Sequence, residues 1–372
     1  MSWGAQLPSD DASYDDPETM IRRLNECTFN ASQYFIRNLK PSGQIRNDTD
    51  LGSYAKLANG LIFSGNIKEA NLVIDYCLRN FFDAKTGDFL TDIKTNKKSQ
   101  NMVFKVFYPY TNQWLLQAGL NLRRYEYVFK AAKFMEKFYN PVLNLSTIIA
   151  PYNENGGNVH CLFNSAALGT TYLYLNSVEK AVKIGYGMIA MYNKQKDSMF
   201  KSKDKTYYLR CNDDGEFFKQ LTPGPGERLI YKVVGTKVKQ AWFAIGYPVA
   251  FFGLLYKVTG EQAFLDAANM LLDYAINECN QDVRKNQWAH KLMWGASVIG
   301  TITNEKRCWD LCYDIANTIM AGQDPITGLT SGIIDQAAEM MFWTPIISMN
   351  IKEALGKFGK LGCGTDQIKS KL

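Results

Sequence analysis

The chain has 372 residues, of which 46% are hydrophobic and 21% charged, a balance that excludes disorder as its main state and supplies a large core. Lys and Arg number 42 against 36 Asp and Glu, a net charge of +6, spread without a basic block, so no nucleic-acid stripe is expected. No run approaches the roughly 18 apolar residues of a membrane span, and the opening MSWGAQLPSDDASYDDPETM lacks the basic start and apolar stretch of a secretory signal.

Asp16-Pro17 reads as a cap followed by proline in the first helical turn, and Met20, Leu24, Phe29, Phe35 and Leu39 then mark an apolar stripe. A helix over 51–64 breaks at Gly65-Asn66 and resumes over 67–82, which makes a helical hairpin. The same figure recurs as 111–121 with 125–139, 164–175 with 177–191, 238–258 with 261–277, and 288–303 with 306–320, before a last helix over 333–355. That gives twelve helices. Strand signals are few: 207–210 and 229–234 predict a small hairpin inside an insertion over 194–236.

The loops between hairpins share a texture, Asp83-Ala84-Lys85-Thr86-Gly87-Asp88-Phe89 after one and Asp324-Pro325-Ile326-Thr327-Gly328 after another. Recurrence every 50–60 residues with alternating short and long connections predicts an all-α, double-layered (α/α)6 toroid with a small β-hairpin insertion. An open solenoid is the structural alternative. The expected organisation is a flexible segment over 1–16, one toroid domain over 17–356, and a flexible tail over 357–372.

Ser53-Tyr54-Ala55-Lys56, Gly65, Glu69-Ala70 and Gly87-Asp88-Phe89 together resemble the opening hairpin of the toroidal proteins grouped with squalene and terpene cyclases and prenyltransferases. Gln240-Ala241-Trp242 and the helix from Asp335-Gln336-Ala337-Ala338-Glu339 to Trp343 are similar to later hairpins of such chains. The resemblance implies the toroid. Class II terpene cyclases protonate their substrate with Asp-x-Asp-Asp, whereas this chain offers Asp48-Thr49-Asp50-Leu51, without the final acid.

Topology nominates a site without any motif, because the long loops of such a ring lead into the inner helices and wall an open cup. On that basis Asp335, Glu339, Asp48, Asp50 and His160 are candidate catalytic residues. Tyr54, Tyr110, Trp114, Asn158, Asn164, Gln240, Trp242, Tyr247, His290, Trp294 and Trp343 are candidate substrate contacts. Aromatic rings in a cup stack on sugar faces, shape an apolar cavity or stabilise a cation. Each candidate also has a structural reading: Asp48 and Asp50 are placed to cap a helix, and the tryptophans are placed to pack between layers.

Eight cysteines without a CxxC pair read as free thiols, and no metal site is expected. The chain has no full G-x-G-x-x-G, Walker A, G-x-S-x-G or H-E-x-x-H pattern, so no cofactor is expected and acid–base chemistry on a small-molecule substrate remains. The first functional expectation is a cyclase or isomerase acting on a hydrophobic terpenoid or polyketide-like intermediate. A glycan-processing hydrolase, lyase or epimerase is the second, and a binding scaffold the third. The ending Ser370-Lys371-Leu372 matches the address read by the peroxisomal import receptor. A eukaryotic source thus predicts the peroxisomal matrix, and any other source the cytoplasm.

Overall fold

The computed structural model describes residues 16–90, 102–154, 158–219, 231–330 and 334–362. Ser370, Lys371 and Leu372 lie outside them. The chain opens with α1 (Pro17–Asn38), where Asp16 accepts from the Glu18 and Thr19 amides and Pro17 needs no partner. A single turn α2 (Leu51–Tyr54) leads into the hairpin α3 (Leu57–Phe63) and α4 (Ile67–Asn80). Further hairpins are α5 (Met102–Asn121) with α6 (Tyr125–Glu136), α7 (Leu162–Tyr174) with α8 (Val178–Phe200), α9 (Phe243–Thr259) with α10 (Gln262–Asp273), and α11 (His290–Thr303) with α12 (Lys306–Ala321). The last helix is α13 (Ile334–Phe358).

The odd-numbered helices α3, α5, α7, α9, α11 and α13 pack one on the next, and α13 returns to α3, so the inner ring is closed. Outside it, α1 covers α13, α4 covers α3, and α6, α8, α10 and α12 cover their own hairpin partners. This is the (α/α)6 toroid, and closure excludes the open solenoid. Position in the ring follows composition. The inner helix α9 has a run from Ala244 to Gly253 that is buried throughout, whereas the outer helix α4 buries only the stripe Ala70, Val73, Ile74, Tyr76 and Cys77.

Glycines set the spacing where inner helices cross. A Cβ on Gly246 would lie 2.0 Å from the Leu292 amide nitrogen, and one on Gly295 would lie 2.7 Å from the Gly246 carbonyl oxygen, so α9 and α11 meet backbone to backbone. At the closing seam a Cβ on Gly60 would lie 2.6 Å from the Ala338 carbonyl oxygen. Across α1 and α13 the Thr28 and Thr344 hydroxyls are 2.6 Å apart.

Some boundaries differ from expectation for local reasons. The segment expected over 51–64 divides into α2 and α3 around Ala55-Lys56. Helix α5 begins at Met102, well before 111, and it kinks at Phe107 (φ −135°, ψ 41°) so that Pro109 opens the straight part, where its missing N–H costs nothing. Helix α8 runs on to Phe200, past 191. The short strands are β1 (Phe82–Asp83), β2 (Asp88–Phe89), β3 (Tyr139–Asn140), β4 (Leu145–Ser146), β5 (His160–Cys161), β6 (Thr206–Tyr208), β7 (Arg210–Cys211) and β8 (Lys232–Val234). The expected hairpin exists as β6 on β8 with Tyr207 opposite Val233, but Arg210 leaves it, since β7 pairs with β5 instead. Among the described residues no helix is long and apolar enough to cross a membrane, and no three metal-ligand side chains gather.

Candidate active site

The starts of three successive inner helices converge on one carboxylate. Glu339 lies in the second turn of α13, His290 and Lys291 open α11, and Lys56 immediately precedes α3. Glu339 is 1% exposed. Its Oε2 accepts from Lys56 Nζ at 2.6 Å, and its Oε1 faces Lys291 Nζ at 2.6 Å and the Trp343 indole N–H at 3.2 Å. Burial pushes the Glu339 pKa up, but Lys291, Lys56 and His290 together outweigh it and hold the carboxyl well below the usual carboxylate range. The group is therefore ionised at neutral pH.

Hydrogen-bond partners assign the His290 tautomer. Nδ1 lies 2.9 Å from the Gln287 carbonyl oxygen, which only accepts, so Nδ1 carries the proton. Nε2 is then a lone pair, and it receives a hydrogen from Lys291 Nζ at 2.8 Å. Lys291 thus donates to both His290 and Glu339, bridging two acceptors whose own separation is 3.2 Å. Burial, helped by the Lys291 charge, holds the His290 pKa below its ordinary value, so the imidazole is neutral with its lone pair at Nε2.

Aromatic rings enclose these groups. Trp294 stacks on Trp343 at 4.2 Å between ring centres, and Tyr247 and Trp114 meet that pair edge-on at 5.2 and 5.8 Å. Lys291 Nζ lies over the rings of Phe243, Phe163 and Tyr110 at 5.1, 5.6 and 5.8 Å, and Lys56 also lies 5.8 Å from the Tyr110 centre. The faces of these rings are engaged by ammonium groups.

Of the residues singled out from sequence, Glu339, His290, Tyr110, Trp114, Tyr247, Trp294 and Trp343 come together here. Asp335 lies one turn before Glu339 on α13, and its side chain is outside the described residues. Asp50 caps α2 through the Gly52 amide, and Asp48 accepts from the Asp50 amide. Tyr54 donates to the Asp48 carbonyl and accepts from the Ile45 amide. These three pin the entry to α2. Gln240 accepts from the Val234 amide and donates to the Val238 carbonyl, and the Trp242 indole donates to Asp282 at 2.8 Å, so both fix the turn before α9. Asn164 donates to Ser146 Oγ.

His160 belongs to a different network. Its Nε2 lies 2.9 Å from Asp213 Oδ1 and 3.2 Å from Asn140 Nδ2, while Asn158 donates to Asp213 Oδ2 at 2.7 Å. Three loops are joined there. Burial holds the His160 pKa below its ordinary value against the opposing pull of Asp213. Sequence reasoning missed Lys56 and Lys291. The available signal was a lysine directly after His290 at the head of an otherwise apolar run, Leu292-Met293-Trp294-Gly295-Ala296.

Similarity to known proteins enters at the level of fold. No family model matches the chain, and no curated protein matches its sequence. Among solved structures it is similar to a D-mannose isomerase, with TM-score 0.62 at 11% identity over 93% of this chain and 99% of that one. It is also similar to a GH76 α-mannanase from Bacteroides thetaiotaomicron, with TM-score 0.58 at 14% identity over 92% and 99%. An unsaturated glucuronyl hydrolase from Streptococcus agalactiae gives TM-score 0.57 at 10% identity over 91% and 97%. These likenesses establish the toroid, the part of the cyclase resemblance that the comparisons share.

Proposed function

We propose that the protein is an enzyme that moves a proton within a sugar, as an isomerase or epimerase. The observation that carries this reading is the composition of the buried cluster: one ionised carboxylate, a neutral imidazole whose lone pair accepts from Lys291, and two ammonium groups. Carbon-to-carbon proton transfer next to a carbonyl needs a base to take the proton and cations to hold the enediolate oxygen that forms. His290 Nε2 is the base in this reading, freed when Lys291 turns its N–H from the imidazole to the substrate oxygen. Lys291 and Lys56 stabilise the oxyanion, and Glu339 holds both lysines in place.

The same observations weigh against carbocation cyclisation of a terpenoid, because the Lys291 ammonium occupies the faces of Tyr110, Phe163 and Phe243 that a developing cation would use. Glycoside hydrolysis uses two carboxyl groups flanking the bond, whereas among the described residues of the cluster Glu339 stands with nitrogen groups. The solved toroids named above support a sugar by analogy of fold, and the composition of the cluster favours proton transfer.

The test is incubation with a panel of free aldoses and ketoses in D2O, followed by NMR. Deuterium should appear at C2 of an aldose product or at C1 of a ketose product, together with the isomeric sugar, and His290→Gln should reduce the rate about 10²- to 10⁴-fold. Absence of exchange in every sugar would overturn the proposal.

A further inference from the structure

Helix α5 carries polar atoms that the cluster above does not use. Tyr110, Gln113, Trp114 and Gln117 share one face of this inner helix, at spacings of three and four residues. On that face Trp114 looks into the ring, where it meets Phe342 at 4.9 Å and Trp343 at 5.8 Å, and Tyr110 lies beside Tyr247 at 6.2 Å. Gln113 is 4% exposed and Trp114 2%. Among the described residues, neither Oε1 nor Nε2 of Gln113 has a hydrogen-bond partner, and neither does the Trp114 indole nitrogen. A buried amide with both ends unmet and a buried indole N–H beside it cost stability, and such groups persist where a bound molecule meets them.

We infer that Gln113 and the Trp114 N–H are the hydroxyl-reading wall of the substrate site. The inference rests on the sugar reading and deepens it. A carboxamide presents one acceptor and one donor side by side, which matches two neighbouring hydroxyls that each donate and accept. The indole N–H adds a single donor for a third oxygen. Trp343 joins this wall to the chemistry, because its ring touches Trp114 and its own N–H reaches Glu339. The ligand is therefore a polyhydroxylated sugar with adjacent free hydroxyls, selected at positions away from the carbon that exchanges its proton. A site of this kind rejects a deoxy analogue because its own polar groups then stay unpaired.

The experiment compares wild type with Gln113→Met and Trp114→Phe, two replacements that keep the bulk and remove the polar atoms. Thermal unfolding is measured without sugar, and binding of D-mannose, D-glucose and their monodeoxy analogues is measured by calorimetry. The expected result is a melting temperature equal to or above wild type, with sugar affinity lowered about tenfold or more and discrimination against one deoxy analogue lost. Binding equal to wild type in both variants overturns the assignment and leaves the sugar reading standing. A lower melting temperature with unchanged affinity overturns it too, and means that Gln113 serves the fold through a buried water. Failure of wild type to bind any sugar overturns both.

Discussion

Replacing Glu339 by Gln leaves Lys56 and Lys291 beside a neutral amide in a buried setting, and uncompensated buried charge costs about 3–5 kcal/mol. Loss of activity in that variant would be ambiguous on its own. The double variant Glu339→Gln with Lys291→Met removes one charge of each sign, so its unfolding free energy should recover most of that loss while proton exchange stays absent. Recovery of exchange along with stability would remove Lys291 from the chemistry and overturn its oxyanion role. Acid should act in the same direction as the single change. His290 and His160 are held below their ordinary pKa of 6.5, so below that pH the unfolded chain takes up protons that the fold refuses, and stability falls. Glu339, held below its ordinary 4.5, contributes stability that is complete above that value and is lost as pH drops further. Melting temperature should therefore decline from pH 7 to pH 4, with His290→Gln flattening part of the decline below 6.5; a flat profile would contradict both assignments.

At the scale of elements, the long loops are built on one plan. Asp83, Asn140 and Asp324 each accept from backbone amides two or three residues on, and each loop then presses against the middle of a neighbouring outer helix. A Cβ on Gly87 (φ +84°) would lie 2.3 Å from the Lys130 carbonyl oxygen, and one on Gly328 (φ +75°) 2.4 Å from that of Asn30. Both the positive φ and the contact demand glycine. Gly87→Ala and Gly328→Ala should each cost more than about 1 kcal/mol in denaturant unfolding, and costs within error would show that the loops yield. This plan was legible, since Asp-x-x-x-Gly recurs in the sequence at both places. The start of α5 was not, because Pro109 inside an aromatic run reads as a boundary until the kink at Phe107 is seen. Nor was the pairing of β7 with β5, which joins residues about 50 apart with two-residue strands too short to leave a periodic signal. Topology, which places inner-helix starts at the cup, nominated Glu339 and His290, and the structure brings these two side chains together. Lys56 and Lys291 were hidden because lysine at a helix start is ordinarily solvated, and only the closed ring buries them.

The ring closes between parts of the chain that are far apart in sequence. Lys56 and Glu339 are separated by 283 residues, and the Thr28 and Thr344 hydroxyls by 316. Each helical hairpin forms from local contacts, but the Glu339 cluster and the stack of Trp294 on Trp343 beside Trp114 need α3, α5, α11 and α13 in place together. Non-local contacts must offset a large loop-closure entropy before they stabilise, so they form late. After dilution from denaturant, helical circular dichroism should return before the tryptophan fluorescence of this cluster, and sugar-dependent activity should return with the fluorescence. Trp343→Phe should remove most of the slow fluorescence change without altering the fast dichroism phase, which ties the signal to the seam. Gly60→Leu, which forces α3 and α13 apart where the Cβ would meet the Ala338 carbonyl oxygen at 2.6 Å, should slow or abolish the second phase while sparing the first. Coincident return of both signals would mean instead that the ring collapses in one step and that its closure, not its hairpins, nucleates the fold.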